Sequence, residues 1–218
     1  GAGLLHAAQA AAVVVLSTDF LVPVTTSYQV FNPASQSLEI ASEQLFDVRL
    51  AYLVAGFFAL SALAHTYVAF IRPKNYLKDL KNGINKARWF EYSASASLML
   101  VAVAMLSGIE DLSTLVMIFA LAAIMNLMGL VMEVHNQTTQ ETNWLSYWIG
   151  CVAGIVPWIV IGLYFWGSEQ SGVGDIPTFV YWIYASIFVF FNLFALNMVF
   201  QYKGWGKWSD YIYGERAY

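Results

Sequence analysis

Arg88 and Glu91 lie three residues apart in R-W-F-E-Y-S-A-S-A-S-L-M, residues 88–99, opening a run that stays apolar or small as far as Ser107. A charge at membrane depth costs on the order of a few kcal/mol and commonly marks function. A buried carboxylate can hold a cation or accept a proton. The charge of Glu91 could be offset by Arg88, on nearly the same helix face, or by another buried cation. Ser95 is one turn beyond Glu91, while Ser93 and Ser97 share an adjacent face. Ser61 is one turn from His65, and Gln9 is nearly one turn from His6. Glu133 and His135 close a later apolar run. Each residue also has a plain structural reading. A histidine can be satisfied by packing, Arg88 can snorkel to the surface, small residues can serve helix contacts, and Glu133 and His135 can sit at headgroup level.

The elements that must position these groups are set by composition. Of the 218 residues, 59% are hydrophobic and 11% charged, against about 25% charged in a soluble domain. This is an integral membrane protein. A net charge of -4 with no basic stripe argues against nucleic acid as a partner. The single cysteine, Cys151, excludes an intrachain disulfide and reads as a packing residue. No hydrolase triad, phosphate loop or H-x-x-H or C-x-x-C spacing is present, so neither an enzyme nor a metal site is expected. The chain begins inside an apolar run without Met, and it is expected to be a fragment.

A bilayer-crossing helix needs about 20 apolar residues. Six runs qualify: 3–22, 46–71, 88–107, 112–134, 144–166 and 177–201. Ser17, Thr18 and Asp19 interrupt the first. Arg72, Lys74, Lys78, Lys81, Lys86 and Arg88 fall between the second and third, and Lys203, Lys207 and Arg216 follow the sixth. The loops after the first, third and fifth runs carry acids (Asp19, Glu39, Glu43, Glu110, Asp111, Glu169, Asp175), with only Arg49 nearby. The amino terminus is therefore expected in the cytoplasm. By that parity N-Q-T at 136–138 faces the cytoplasm and is not a glycosylation site. The outer loop at about 20–45 is rich in β-branched and aromatic residues around Asn32-Pro33, and a short extracellular β-hairpin is expected there.

Depth follows from the rise of 1.5 Å per residue; His65, seven residues before Arg72, lies roughly 10 Å inside. His6, His65, Glu91, Glu133 and His135 all then gather in the cytoplasmic half of the membrane. Trp158 stands mid-run beside Pro157, Phe188, Phe190, Phe191 and Phe194 surround Asn192, and Met125 and Gly129 are one turn apart. A large apolar ligand could lie between these helices, although lipid-facing and core packing would use the same residues.

These stretches resemble the heliorhodopsins, a retinal-binding family of seven-helix membrane proteins, over nearly the whole chain. The resemblance is carried by G-A-G-L-L-H-A-A-Q at 1–9, L-S-A-L-A-H at 60–65, R-W-F-E-Y-S-A-S-A-S-L-M at 88–99, G-C-V-A-G-I-V-P-W-I at 150–159 and F-V-F-F-N-L-F-A-L-N at 188–197. Q-Y-K-G-W-G-K-W-S-D-Y-I-Y-G-E-R-A-Y at 201–218 completes it.

The resemblance implies an all-α, rhodopsin-like bundle over 1–218 as a single domain, with six of seven transmembrane helices present. It implies all-trans retinal, bound covalently, and Glu91 as counterion of its protonated Schiff base. His6, His65, Ser61, Ser95 and Gln9 would form the polar network around that base. Arg88, Glu133 and Asn85 would form a cytoplasmic network. Tyr92, Met125, Gly129, Trp158, Phe191 and Asn192 would line the pocket. The linking lysine of the family lies on the seventh helix, and is expected about two turns beyond Tyr218; Lys203 and Lys207 do not fit that place. The implied function is light sensing without ion pumping, as a homodimer in the lipid bilayer of the cell membrane with a cytoplasmic signalling partner. A proton pathway through His6, His65, Glu91 and Glu133, or a six-helix scaffold or transporter without pigment, are the alternatives.

Overall fold

The computed structural model describes residues 1–171 and 177–216. Asp175, counted above among the loop acids, and the last two residues of the final motif, at 217 and 218, lie outside the described residues. The order is α1 (Ala2–Leu16), β1 (Leu21–Asn32), β2 (Ser37–Arg49), α2 (Leu50–Thr66), α3 (Pro73–Lys81), α4 (Lys86–Leu106), α5 (Leu112–His135), α6 (Leu145–Ser171), α7 (Thr178–Lys203) and α8 (Tyr211–Glu215). A π-helical turn, Tyr67–Ile71, extends α2, and a 3₁₀ turn, Gly206–Ser209, precedes α8.

Among the described residues, five helical segments are long and apolar enough to cross a membrane: α2 with its π turn, and α4 to α7. The first apolar run corrects the expectation of a helix over 3–22, because α1 stops at Leu16. Its 15 residues span about 22 Å. The polar triplet is the cause. The Ser17 hydroxyl bonds back to the carbonyl of Val14, and Asp19 forms an ion pair with Arg49, the last residue of the hairpin and opposite Leu21 at its base. The chain is thereby turned into β1 rather than a further helical turn.

The hairpin is longer than the short one expected. Its strands, of 12 and 13 residues, pair antiparallel from Leu21 opposite Arg49 to Asn32 opposite Ser37, with an irregularity between Val24 and Thr25. The sequence run 46–71 was expected to be helical from its start; its first four residues instead finish β2. Val22 and Val24 turn inward and join the core. The Thr25 amide donates to the Glu110 carbonyl at 2.9 Å, which pins the hairpin to the α4–α5 turn.

The helices pack in sequence, α1 on α2, α2 on α4, α4 on α5 and α5 on α6. Leu100, Ala104, Ile109, Ile118, Ala122 and Ile161 form the driest part of the core. Rings join α6 to α7. Trp158 meets Tyr184, Phe188 and Phe191 edge-on at 5.3–5.5 Å between centroids, and the Tyr184 hydroxyl donates to the Trp158 carbonyl at 3.1 Å. Edge-to-face geometry suits the ring quadrupoles and fixes the approach of the two helices.

The α4–α5 turn is held by Asp111, whose carboxylate accepts from the Thr114 amide and hydroxyl and from the Ser113 hydroxyl, all at 2.8–2.9 Å. The Ser113 hydroxyl, then the Thr114 amide, lower its pKa below the ordinary carboxylate range. A lowered folded pKa stabilises above the unfolded value and is lost as pH falls through the folded one. Replacing Asp111 by Ala should cost about 1 kcal/mol through the lost N-cap. Thermal unfolding in detergent at neutral pH checks this, and the gap between wild type and variant should shrink in strong acid.

Candidate functional site

Side chains from several helices converge on a cavity of about 530 Å³, within the usual range of about 300–1,000 Å³ for ligand sites. Its walls include His6 of α1, Ser61 and His65 of α2, Glu91, Tyr92 and Ser95 of α4, Met125 and Gly129 of α5, and Phe191 of α7. Asn85, Arg88 and Glu215 line the same cavity. Mostly apolar walls with few convergent polar groups are the usual build of a small-molecule site.

The centre of the polar part is a bond between helices. The Ser61 hydroxyl, itself buried, donates to Glu91 Oε1 at 2.6 Å. Their helical phases explain the contact: Ser61 and His65 share one face of α2, and Glu91 and Ser95 share the facing side of α4. Ser95 is 1% exposed. The other two serines serve their own helix, since Ser97 donates to the Ser93 carbonyl and Ser93 to that of Phe90.

Beside this bond the rings of His6 and His65 stack, 5.5 Å apart and 5° from parallel. His6 Nδ1 is hydrogen-bonded to the Gln9 side-chain amide at 3.0 Å. Gln9 thus orients His6 from outside the cavity lining. Gly3 makes this approach of α1 possible, because a Cβ there would lie 3.2 Å from that of His65.

A second network closes one end of the cavity. Arg88, 7% exposed, donates through Nη2 to Glu133 Oε1 at 2.8 Å and through Nη1 to Glu215 Oε1. The Asn85 amide donates to Glu133 Oε2 at 2.9 Å, and its side-chain nitrogen to Glu215 Oε2 at 2.7 Å. Asn85 also caps α4, its side-chain oxygen accepting from the Arg88 amide. The Tyr211 hydroxyl donates to Glu133 Oε1 at 3.1 Å. Burial, then the charges of Glu133 and Glu215, push the Tyr211 phenol far above its ordinary range, so it remains a donor.

Arg88, Glu133 and Asn85 therefore meet as one network. Tyr92, Met125, Gly129 and Phe191 line the cavity, and Trp158 stands behind Phe191 rather than at the surface of the cavity. Asn192 is a correction to the expected pocket. It is exposed and donates to the Phe188 carbonyl. With Phe191 facing inward, the next residue is turned about 100° away. Gly129 has a spatial reason, since any Cβ there would run into the Trp89 ring. His135 lies exposed at the end of α5.

Sequence reasoning missed Glu215 and Tyr211 as site residues. Asp210 before a short aromatic run was the available signal, an N-cap followed by a helix; its carboxylate accepts from the Ile212 amide. The resulting α8 is tied to α7 by Asn197, which donates to the Gly214 carbonyl and accepts from Trp208.

Several apolar helices around a cavity with a partly buried carboxylate define a polytopic helical membrane protein. The Heliorhodopsin family model matches residues 1–218, the whole chain, and the protein belongs to that family. It is accordingly a retinal-binding, light-sensing membrane protein by family. No curated protein matches the chain.

Removing one partner of a buried ion pair strands the others, at a cost of about 3–5 kcal/mol. Arg88→Ala should therefore lower the thermal midpoint in detergent far more than Lys86→Ala, whose ammonium is 3.9 Å from Asp79 and half exposed. Equal losses would mean that the network contributes no special stability.

Proposed function

We propose that this protein is a light sensor that does not pump ions and is not an enzyme, with Glu91 as the counterion of a protonated retinal Schiff base. The observation that carries this reading is the Glu91 carboxylate, held by Ser61 on the wall of a largely apolar cavity. Retinal, when bound as the protonated Schiff base, supplies light absorption and isomerisation.

The residues present suit that group. Tyr92, Met125 and Phe191 offer apolar and aromatic walls for a polyene, and Gly129 leaves room where a side chain would collide with Trp89. A buried cation requires a nearby anion, because either charge alone would be neutralised by a pKa shift. Glu91 meets that requirement, with Ser61 holding its orientation. His6 and His65, stacked on the same wall, are the groups we assign to receive a proton. None of the lysines at 74, 78, 81, 86, 203 and 207 lines the cavity, so this reading assigns the covalent linkage to a lysine outside the described residues, on a seventh helix.

The reading extends to a single bundle domain with its amino terminus in the cytoplasm and the hairpin outside. The charge distribution supports that orientation. In it, the Arg88–Glu133–Glu215 network lies at the cytoplasmic end. A change of charge at Glu91 would be felt there through α4, which carries both Glu91 and Arg88. A homodimer and a cytoplasmic signalling partner complete the proposal.

The full-length protein expressed with all-trans retinal should show a visible band that hydroxylamine bleaches in the light. Its absence from folded, membrane-inserted protein would overturn the retinal reading. Glu91→Gln should shift the band and lower the Schiff base pKa by about 1–3 units, as expected when an opposite charge within bonding range is lost. An unchanged spectrum and titration would remove Glu91 from the counterion role.

A further inference from the structure

The helix α3 was not anticipated from the apolar pattern. Pro73 sits in its first turn, where the missing amide hydrogen costs nothing. At 3.6 residues per turn, Leu77, Lys81, Lys74 and Lys78 fall in that angular order within about 100° of one another. Tyr76 and Leu80 occupy the inner side and are half-buried, and Tyr76 lines the cavity. Asp79 is turned away from the lysines toward Lys86. The outer face thus carries three exposed lysines flanked on one side by a leucine that is 56% exposed, with no acid among them.

The approach to this helix is apolar. Phe70 and Ile71, at the end of the α2 span, are 81% and 67% exposed. Exposed Arg72 follows them directly. The chain therefore passes from a lipid-facing span into a short basic helix whose outer face holds a single large apolar side chain. That sequence of surfaces matches the layers of a bilayer edge: hydrocarbon, then phosphate.

We propose that α3 is a lipid-surface anchor selective for anionic phospholipid. Leu77 enters the headgroup boundary, and Lys74, Lys78 and Lys81 extend along it to the phosphates, their alkyl stems covering apolar surface. The occupant is identified by charge complementarity and by continuity with the lipid-facing end of α2. Anchoring α3 would also restrain Tyr76 on the cavity wall, coupling lipid charge to the polar end of the site. The proposal rests on the membrane placement and orientation given above, which bring α3 to the anionic cytoplasmic leaflet.

The test is amide hydrogen exchange over residues 73–81 of the full-length protein in nanodiscs. One set holds phosphatidylcholine alone, the other a phosphatidylcholine–phosphatidylglycerol mixture. Both faces of a nanodisc carry the same lipids, so the outcome does not depend on orientation, and the pigment tests stand apart from it. Protection should rise with phosphatidylglycerol and fall with added salt. Each Lys→Gln change at 74, 78 or 81 should weaken that lipid dependence about fivefold, with Lys→Arg restoring it. Leu77→Asn should reduce protection in the mixture. Equal protection in both lipids would overturn the proposal. Protection that ignores phosphatidylglycerol but rises with added polyglutamate would overturn it too, and assign the face to an acidic protein.

Discussion

The constraint on which the structure depends is the burial of a guanidinium. Arg88 is placed at the first turn of α4 by the Asn85 cap, and its side chain lies almost wholly out of water. A charge there is tolerable only with anions and hydrogen bonds around it. Glu133 arrives from the last turn of α5 and Glu215 from the end of α8, and Asn85 bonds to both. Such a network adds little net stability over an apolar replacement, because desolvation offsets most of the attraction. What it supplies is register. A slip of either helix by one residue would strand a buried charge.

That register is transmitted to the cavity. Arg88 and Glu91 are one turn apart on α4, so fixing the first fixes the depth and phase of the second. Ser61 then ties Glu91 to α2, and the stacked histidines tie α2 to α1. The α6–α7 side is set differently, by edge-to-face rings around Trp158 that need no charge. The cavity lies between a polar wall with strict hydrogen-bond geometry and an aromatic wall with looser packing. This division suits a ligand that has one charged end and a long apolar body.

Opposite the buried network, the hairpin and the α4–α5 turn form a second fixed end. Asp19 and Arg49 close the base of the hairpin, and the Thr25 amide docks it on Glu110. Between these two ends the helices carry mainly apolar surface, as a bilayer solvent demands. Glu91 is the exception on α4, and its isolation there makes it chemically conspicuous.

Much of this was legible in the residues themselves. Apolar runs at 88–107 and 112–134 coincide closely with α4 and α5, because a bilayer span must satisfy its backbone internally and so must be helical. The gathering of His6, His65, Glu91 and Glu133 toward one end followed from the alternating direction of the runs and the rise per residue. Local rules could not reveal Glu215, which lies 127 residues from Arg88, nor the turn of Asn192 away from the cavity. Side-chain partners between helices depend on rotation and packing, and no periodicity within one segment records them. The stop of α1 at Leu16 falls at the polar triplet 17–19, which the residues already marked as an interruption, while the pairing of Asp19 with Arg49 across 30 residues was not legible there. The sequence by itself determined a helical membrane protein with a carboxylate in its span. The family resemblance already grouped Ser61 with the region of Glu91, and Glu133 with Arg88; only the tertiary structure decided that Glu215 would join Arg88 from α8 and that Asn192 would turn outward, because those choices are made where separate helices touch.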